Sequence, residues 1–292
     1  MHEMEHPAPG PSWPAPAKLN LFLHVVGRRN DGYHLLQTVF QFLDYADELE
    51  FSIREDDQLN LSRNYGDIAA TDDLVLRAAR RLQQAAGIPG GADIQVHKRL
   101  PVGAGLGGGS SNAATTLVAL NALWQAGLAL PALAELGLAL GADVPVFVHG
   151  HAAWAEGIGE LLTPVDPPQP WYLVVSPGFG VATATIFNAP DLTRNTPAIT
   201  IRDFLEGKVR NDCEPVVRGI YPQIAELLDW LGHRAPSRLT GTGSCVYGQF
   251  STREEAARVR DALPAPWQGF VARGLNRSPL LDRLQQQKKF KV

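Results

Sequence analysis

The stretch Pro101-Val-Gly-Ala-Gly-Leu-Gly-Gly-Gly-Ser-Ser-Asn-Ala113 holds five glycines within seven residues. Each glycine costs conformational entropy on folding, so such a cluster indicates a backbone that needs positive φ or is approached closely by a ligand. Alternating apolar residues that end at Leu100 predict a strand before it. Ser110 or Ser111 is a good N-cap for a helix after it, ending at Gly127. Strand, glycine loop and helix predict a phosphate site, because free N–H groups and the positive end of a helix dipole face one point.

Three familiar phosphate loops do not fit this stretch. It satisfies G-x-G-x-x-G, but the dinucleotide fingerprint also needs an acidic residue about 20 positions later. No Asp or Glu occurs between Ser110 and Glu135. A Walker A loop needs Gly-Lys-Ser/Thr, whereas Gly207-Lys208 is followed by Val209. The His-Arg-Asp and Asp-Phe-Gly motifs of protein kinases do not occur. The loop is therefore a phosphate loop of another design.

The composition of the chain describes an ordinary globular protein. Its 292 residues suffice for two domains, and 45% are hydrophobic and 19% charged. A net charge of −4 gives no case for a nucleic-acid or membrane partner held by bulk electrostatics. Cys213 and Cys245 lie far apart, which predicts free thiols. Without an apolar signal segment or a run of about 18 apolar residues, we expect a cytoplasmic protein.

The N-terminal segment His2-Glu-Met-Glu-His6 matches the H-E-x-x-H signature of zinc proteases. That chemistry needs both histidines on one helix, and the five prolines that follow by Pro16 cannot support one. We therefore predict that residues 1–14 form a disordered tail and that order begins near Ala15.

Residues 17–25 alternate in a way that predicts a strand with one buried face. Lys18 and Asn20 then project from the same side, although such a pair alone is more typical of a solvated edge. The turn that ends at Gly32 predicts a hairpin. Tyr33 and His34 follow it, where a loop can present an aromatic face to a ligand, although by themselves they are more typical of packing residues. Further strands are predicted near residues 36–43 and 48–53.

A helix is predicted from Leu74 to Ala86, capped by Thr71 or Asp72, and another near residues 133–140. The next motif, Gly141-Ala-Asp-Val-Pro145, places a carboxylate among apolar residues. Such a carboxylate is costly unless it is paired or serves in chemistry. The alternative is an Asp that caps a helix. His149 and His151 have no third ligand cluster in the sequence, so we expect no metal centre there.

Four prolines within residues 164–170 indicate a linker. We place the domain boundary there, with domains at residues 15–164 and 165–292. The second half contains predicted strands at residues 171–176 and 270–272 and helices at 224–231 and after the capping box Ser251-x-x-Glu254. This mixture favours an α+β sandwich of the ferredoxin kind. The segment Leu239-Thr-Gly-Thr-Gly-Ser-Cys245 is a second glycine turn, which is either a tight bend or a cover over the phosphates.

Residues 101–111 resemble the ATP-binding loop of the GHMP kinases. Five blocks follow in an order typical of the branch that phosphorylates a cytidine-diphosphate methylerythritol: residues 16–23, 31–34, 109–114, 141–147 and 239–245. The resemblance extends from about Pro14 to Leu281. It implies an α+β, two-domain GHMP kinase fold, with an N-terminal ribosomal-protein-S5-like domain, a C-terminal ferredoxin-like sandwich and the active site between them.

By the same resemblance, the γ-phosphate of ATP passes to a 2-hydroxyl group in the non-mevalonate route to isoprenoids. Asp143 would be the general base and Lys18 would orient it and stabilise negative charge. Magnesium would bridge the phosphates without a dedicated carboxylate cage, and the protein would be a monomer or weak homodimer. The implied ATP-binding residues are Lys98, Pro101, Gly103, Gly105, Leu106, Gly107, Gly108, Gly109, Ser110, Ser111 and Asn112.

The implied substrate residues are Asn20, Tyr33, His34, Thr183 and Phe187. Tyr33 and Phe187 would sandwich the cytosine, and His34 would read its hydrogen-bonding edge.

The chain departs from the family at Asp73, where Asn is usual near the adenine, and Asp cannot donate an amide hydrogen. Two other functions remain open. One is a GHMP kinase for a sugar, homoserine or mevalonate, which would not need Tyr33, His34 and Phe187. The other is a catalytically silent nucleotide-binding regulator, against which the presence of both Lys18 and Asp143 argues.

Overall fold

The computed structural model describes residues 12–66, 69 and 71–289. The strands are β1 (Trp13–Arg28), β2 (His34–Arg54), β3 (Leu59–Arg63), β4 (Gly91–His97), β5 (Ala153–Glu156), β6 (Leu161–Pro164), β7 (Trp171–Ser176), β8 (Ser237–Leu239), β9 (Val246–Phe250) and β10 (Gln268–Leu275). The helices are α1 (Leu74–Ala86), α2 (Gly108–Leu123), α3 (Leu130–Leu138), α4 (Val144–His149), α5 (Thr183–Phe187), α6 (Ile201–Leu205), α7 (Glu214–Ile220), α8 (Pro222–Gly232), α9 (Arg253–Asp261) and α10 (Pro279–Lys289). Within these residues, no helix is long and apolar enough to span a bilayer.

β2 is one strand of 21 residues, not the two strands expected from residues 36–43 and 48–53. The polar interruption between them contains Asp47, which is fully buried. Its carboxylate accepts hydrogen bonds from the backbone N–H groups of Arg99 and Leu100 at 2.7 and 2.8 Å, so the strand continues without an unpaired charge. β1 pairs with β2 as the predicted antiparallel hairpin, with Arg28 opposite His34.

The sheet runs in the order β3-β4-β2-β10-β7-β9-β8, with β1 paired to β2. β10 pairs with β7 over residues 268–273 and with β2 at Gly274 and Leu275. It therefore links the N-terminal strands to the C-terminal strands by backbone hydrogen bonds. α10 then returns to the N-terminal half, where Leu280 is part of the core beneath α1–α4. The domain boundary at residue 164 stays a prediction. α10 follows that boundary in the sequence but packs against the half that precedes it.

β1 runs between the two halves and is buried on both faces, not on one as the alternation predicted. Trp13 packs in the core beneath α1–α4 and Leu23 packs in the core of the C-terminal helices. Leu19, between them, belongs to a third apolar cluster that joins the halves. Since Trp13 and Pro14 lie within β1, order begins before Ala15. The remaining tail, including the rejected zinc motif at residues 2–6, lies outside the described residues.

The N-cap residues of two helices differ from the sequence prediction, although α1 has the predicted bounds. The N-cap of α1 is Asp73, whose side chain accepts from the Val75 N–H at 2.9 Å, and not Thr71 or Asp72. α2 begins at Gly108, with Gly107 as its N-cap at φ +71°, so Ser110 and Ser111 lie inside its first turn. Because a glycine occupies the cap position, neither serine hydroxyl caps the helix.

The C-terminal elements follow the prediction with small shifts. The strand at residues 171–176 and the helix around residues 224–231 are present as β7 and α8. The capping box is formed by Thr252 and Glu255, one residue later than predicted. The earlier helix near residues 133–140 is α3, which begins three residues sooner. Cys213 and Cys245 are buried free thiols, as expected.

Candidate active site

A cleft of about 630 Å³ lies where the glycine loop meets β1, α4 and the second glycine turn. This volume is within the range of ordinary ligand sites. The predicted residues that line it are Lys18, Asn20, Lys98, Pro101, Gly103, Gly105, Leu106, Gly107, Gly108, Gly109, Ser110, Asn112, Asp143, Thr183 and Phe187. Both halves of the chain therefore contribute walls to one cavity.

The N-terminus of α2 opens into this cleft. Its first intrahelical bond runs from the Ser111 N–H to the Gly107 carbonyl, and no side chain caps the helix. The N–H groups of residues 108–110 precede that bond and are thus left for a ligand. A Cβ on Gly107 would lie 3.0 Å from Cε of Lys18, and one on Gly108 would lie 2.8 Å from Nζ of Lys98. Two ammonium groups thus lie beside the positive end of a helix, which favours bound phosphate.

The glycine loop is fixed to the second glycine turn by close backbone contact. Gly105 has φ +77°, and a Cβ there would lie only 2.2 Å from the Thr240 carbonyl oxygen. The Thr240 hydroxyl donates to the Gly105 carbonyl at 3.2 Å, and the Cys245 N–H donates to the Ala104 carbonyl at 3.1 Å. Only glycine permits this approach at residue 105, so the two turns together form one side of the cleft.

Lys18, Asn20 and Asp143 form a charged cluster on the floor of the cleft. Nζ of Lys18 donates to Asn20 Oδ1 at 2.5 Å and lies 3.2 Å from Asp143 Oδ2. The Lys18 side chain is 4% exposed, whereas that of Asp143 is 32% exposed. Asp143 occupies the N-cap position of α4, but its side chain makes no capping bond. Its carboxylate is therefore ion-paired and open to the cleft, which agrees with the expectation that it is paired, and its side chain does not cap the helix.

Lys98 is oriented by a buried carboxylate that the sequence did not single out. Its ammonium group pairs with Asp47, which also accepts the two backbone bonds from residues 99 and 100. The amide of Asn112, in the orientation that satisfies both of its polar atoms, donates to Asp47 Oδ2 at 3.0 Å. Asn112 thus helps to hold the carboxylate that orients Lys98. Asp47 could have been noticed in the sequence as a carboxylate within the largely apolar stretch that forms β2.

Asp73 is fully engaged within the protein. It is 2% exposed, and besides capping α1 it pairs with Arg63 and accepts from the Tyr65 hydroxyl at 3.2 Å. Burial and the neighbouring Asp73 raise the pKa of Tyr65 to about 12. Tyr65, Asp73 and Leu74 line the cleft together with Lys98, whose Nζ lies 5.9 Å from the centre of the Tyr65 ring. The negative charge of Asp73, where the family usually has Asn, is therefore neutralised by Arg63.

Of the three rings expected at the cytosine, His34 and Phe187 are in contact and Tyr33 is exposed. The His34 ring stacks on Phe187, with centroids 5.0 Å apart and planes inclined by 23°. Nε2 of His34 accepts from Nε of Arg194 at 3.1 Å. Tyr33 is 60% exposed, and neither Tyr33 nor His34 lines the cleft directly. Burial and the two nearby guanidinium groups of Arg194 and Arg28 lower the pKa of His34.

Thr183 and Phe187 are the first and last residues of α5, a short helix that was not predicted, and both line the cleft. The Thr183 hydroxyl lies 3.1 Å from that of Thr242 in the second glycine turn. Asn20 Nδ2 donates to the Thr38 hydroxyl at 3.0 Å. Thr38 and Thr242 also line the cleft. Thr242 lies in the second glycine turn that the sequence analysis singled out, whereas Thr38 was missed, because single threonines are common in strands.

One buried hydroxyl lacks a partner at the phosphate end. Ser111 Oγ is inaccessible to solvent and has no hydrogen bond within the described part of the chain. Ser110 lines the cleft, one residue earlier. No group of three or more His, Cys, Asp or Glu side chains that could hold a metal ion occurs in residues 12–66, 69 and 71–289.

The chain matches two family models and several relatives that carry one name. Residues 73–151 match the GHMP kinases N terminal domain, and residues 196–269 match the GHMP kinases C terminal model. It is 56% identical over 274 residues to a 4-diphosphocytidyl-2-C-methyl-D-erythritol kinase of Shewanella sp. (strain W3-18-1), covering 94% of this chain and 96% of that protein. The kinase of the same name from Halorhodospira halophila is 58% identical over 271 residues, covering 92% and 94%.

A solved structure supports the same relationship. The crystal structure of a 4-(cytidine 5'-diphospho)-2C-methyl-D-erythritol kinase superposes with a TM-score of 0.80 at 34% identity. The superposition covers 90% of this chain and 99% of that one. The similarity therefore spans both halves of the molecule and includes the cleft between them.

Proposed function

The chain belongs to the 4-diphosphocytidyl-2-C-methyl-D-erythritol kinase family of GHMP kinases, and we propose that it phosphorylates the 2-hydroxyl group of that cytidine-diphosphate methylerythritol. ATP is the phosphate donor, the 2-phosphate and ADP are the products, and the step belongs to the non-mevalonate route to isoprenoid precursors. The observation that carries the proposal is the pairing of Lys18 and Asp143 beside the uncapped N-terminus of α2.

Asp143 is the proposed general base. Its open carboxylate accepts the proton of the acceptor hydroxyl while that oxygen bonds to the γ-phosphorus. The bond between the γ-phosphorus and the bridging oxygen of ADP breaks in the same step, and ADP leaves with its electron pair. Lys18 holds the carboxylate in place and, as a buried cation, stabilises the negative charge on the phosphoryl oxygens.

The phosphates of ATP are proposed to bind at the first turn of α2. The N–H groups of residues 108–110 and the ammonium group of Lys98 provide donors there. The residues that would hold magnesium here are Ser111, whose hydroxyl has no partner in the described part of the chain, and Ser110 beside it. When bound, the ion neutralises phosphate charge. Tyr65 and Leu74 then form the walls for the base of the nucleotide.

The cytidine end of the substrate is proposed to bind near α5. Phe187 and Thr183 line the cleft there, together with Asn20 of the charged cluster. Tyr33 is exposed at the hairpin turn and is free to cover a base that stacks on Phe187. Substrate and ATP thereby approach the Lys18–Asp143 pair from opposite sides. The predicted monomer or weak homodimer stays a prediction.

The decisive experiment measures ADP release with magnesium-ATP and each acceptor in turn: the cytidine-diphosphate methylerythritol, mevalonate, homoserine and galactose. Asp143→Asn serves as the blank. We expect turnover with the cytidine compound alone. Turnover with another acceptor would contradict the proposed substrate but leave the proposed phosphoryl transfer in place. ATP binding without turnover on any acceptor would favour the catalytically silent regulator.

A further inference from the structure

Arg194 makes four hydrogen bonds that fix its guanidinium group beside the proposed cytidine pocket. Its Nη atoms donate to the carbonyls of Phe187, Ala189 and Leu192 at 3.0, 2.6 and 3.1 Å. Its Nε donates to Nε2 of His34 at 3.1 Å. The three carbonyls tie the arginine to the end of α5 and the loop after it, so the donor to His34 is held in one place.

This contact determines where the proton of His34 lies. Arginine stays protonated in proteins and has no acceptor, so its Nε–H must donate and Nε2 of His34 must offer a lone pair. A neutral imidazole carries one proton, which is then on Nδ1. A protonated ring would lose the bond and set two cations side by side.

We propose that Arg194 is a positioning residue that holds His34 as the neutral Nδ1–H tautomer and thereby makes the site select cytosine over uracil. The preference for cytosine rests on the proposed function, whereas the tautomer of His34 does not. A fixed Nδ1–H donor is matched by an acceptor on the base. N3 of cytosine is an acceptor, whereas N3 of uracil carries a hydrogen and would meet donor with donor.

The chain offers a matched control at Arg28. Its guanidinium group also lies near enough to His34 to lower the pKa of the ring, but its Nε donates to the Gly32 carbonyl at 3.1 Å and not to the imidazole. Arg28→Met therefore removes a comparable charge without removing the hydrogen bond. Arg194→Met removes both.

The first test is the imidazole nitrogen spectrum of the unaltered protein, with the His34 signals assigned by their loss in His34→Gln. We expect the pattern of an Nδ1–H tautomer in the protein alone and in Arg28→Met. In Arg194→Met we expect a shift toward Nε2–H. An Nε2–H pattern in the unaltered protein would overturn the inference without any need for a variant to fold.

The second test compares the binding of CDP and UDP while ADP saturates the nucleotide site. We expect the unaltered protein and Arg28→Met to prefer CDP by about a hundredfold, because UDP would leave the Nδ1–H donor without an acceptor. His34→Gln, whose amide both donates and accepts, should reduce that ratio at least about tenfold, and so should Arg194→Met. Equal binding of CDP and UDP by the unaltered protein would overturn the inference alone. Binding of neither would overturn the proposed cytidine substrate together with it.

Discussion

Nζ of Lys18 lies 3.2 Å from Oδ2 of Asp143, with the lysine buried and a third of the carboxylate side chain exposed. The two residues come from β1 and from the N-terminus of α4, and Asn20 accepts a second bond from the same ammonium group. The asymmetry in exposure matters for chemistry. The cation is fixed inside the protein, while the base keeps a free side toward the cleft.

Asp143→Asn should lower turnover by about a hundredfold or more, because an amide cannot take the proton of the hydroxyl. ATP binding, measured by calorimetry, should be unchanged. Asp282→Asn is the matched control, since that exposed carboxylate pairs with Arg277 on the surface. Near-normal turnover of Asp143→Asn would remove this residue as the base.

Tyr33→Ala should raise KM for the cytidine substrate about tenfold and leave KM for ATP unchanged, because base stacking on an aromatic ring is lost. Tyr33→Phe keeps the ring and should behave as the unaltered enzyme does. Steady-state kinetics with each substrate varied in turn makes the comparison. An equal rise in both KM values for Tyr33→Ala would discard the proposed stacking.

Gly105→Ala should destabilise the fold by about 2–5 kcal/mol, since the new Cβ meets a backbone oxygen and sits at positive φ. Gly87→Ala is the control for φ alone. Gly87 is at φ +62° with nothing within 4 Å of a Cβ, so its replacement should cost about 1–2 kcal/mol. Denaturant unfolding measures both. Equal losses of stability in the two variants would show that the backbone at Thr240 moves away from the new Cβ without strain.

Asp73→Asn should cost about 2 kcal/mol of stability, because the ion pair with Arg63 is lost while the cap of α1 is kept. Asp73→Ala loses the cap as well and should cost about 1 kcal/mol more. Asp72→Asn changes an exposed neighbour and should stay within about 0.5 kcal/mol. If Asp73→Asn is as stable as the unaltered chain, Arg63 does not depend on this carboxylate.

Stability should fall as the pH is lowered from about 7 to about 5, in part because of His24. Burial lowers the pKa of this ring below 6.5, and Arg210 and Arg238 act in the same direction, whereas Asp212 opposes them. Below 6.5 the unfolded chain therefore takes up the proton first, and stability is lost until the pH reaches the lower pKa of the folded state.

His24→Gln removes this term, which is at most about 1.4 kcal/mol per pH unit. Its free energy of unfolding should consequently decline less over the same interval. Parallel pH profiles for His24→Gln and the unaltered chain would assign the loss to other groups.

Much of the site could be predicted because it is encoded locally. A glycine cluster between a strand and a helix has few uses, and its backbone conformation is encoded within a few consecutive residues. The bounds of α1 follow from its apolar period and Gly87, and the hairpin of β1 and β2 follows from its turn. α2 lies where a helix was predicted, although it runs from Gly108 to Leu123 and not from a serine cap to Gly127.

What the sequence determined by itself was the phosphate loop, the helices and strands around it and, through its ordered motifs, the family. Tertiary structure alone decided the partners: Asp47 for Lys98, Arg63 for Asp73, Arg194 for His34, and β1 as a strand buried between two halves. The physical reason is that propensity and periodicity act over a few residues. A buried charge, by contrast, is satisfied by whichever group the folded chain brings within hydrogen-bonding distance.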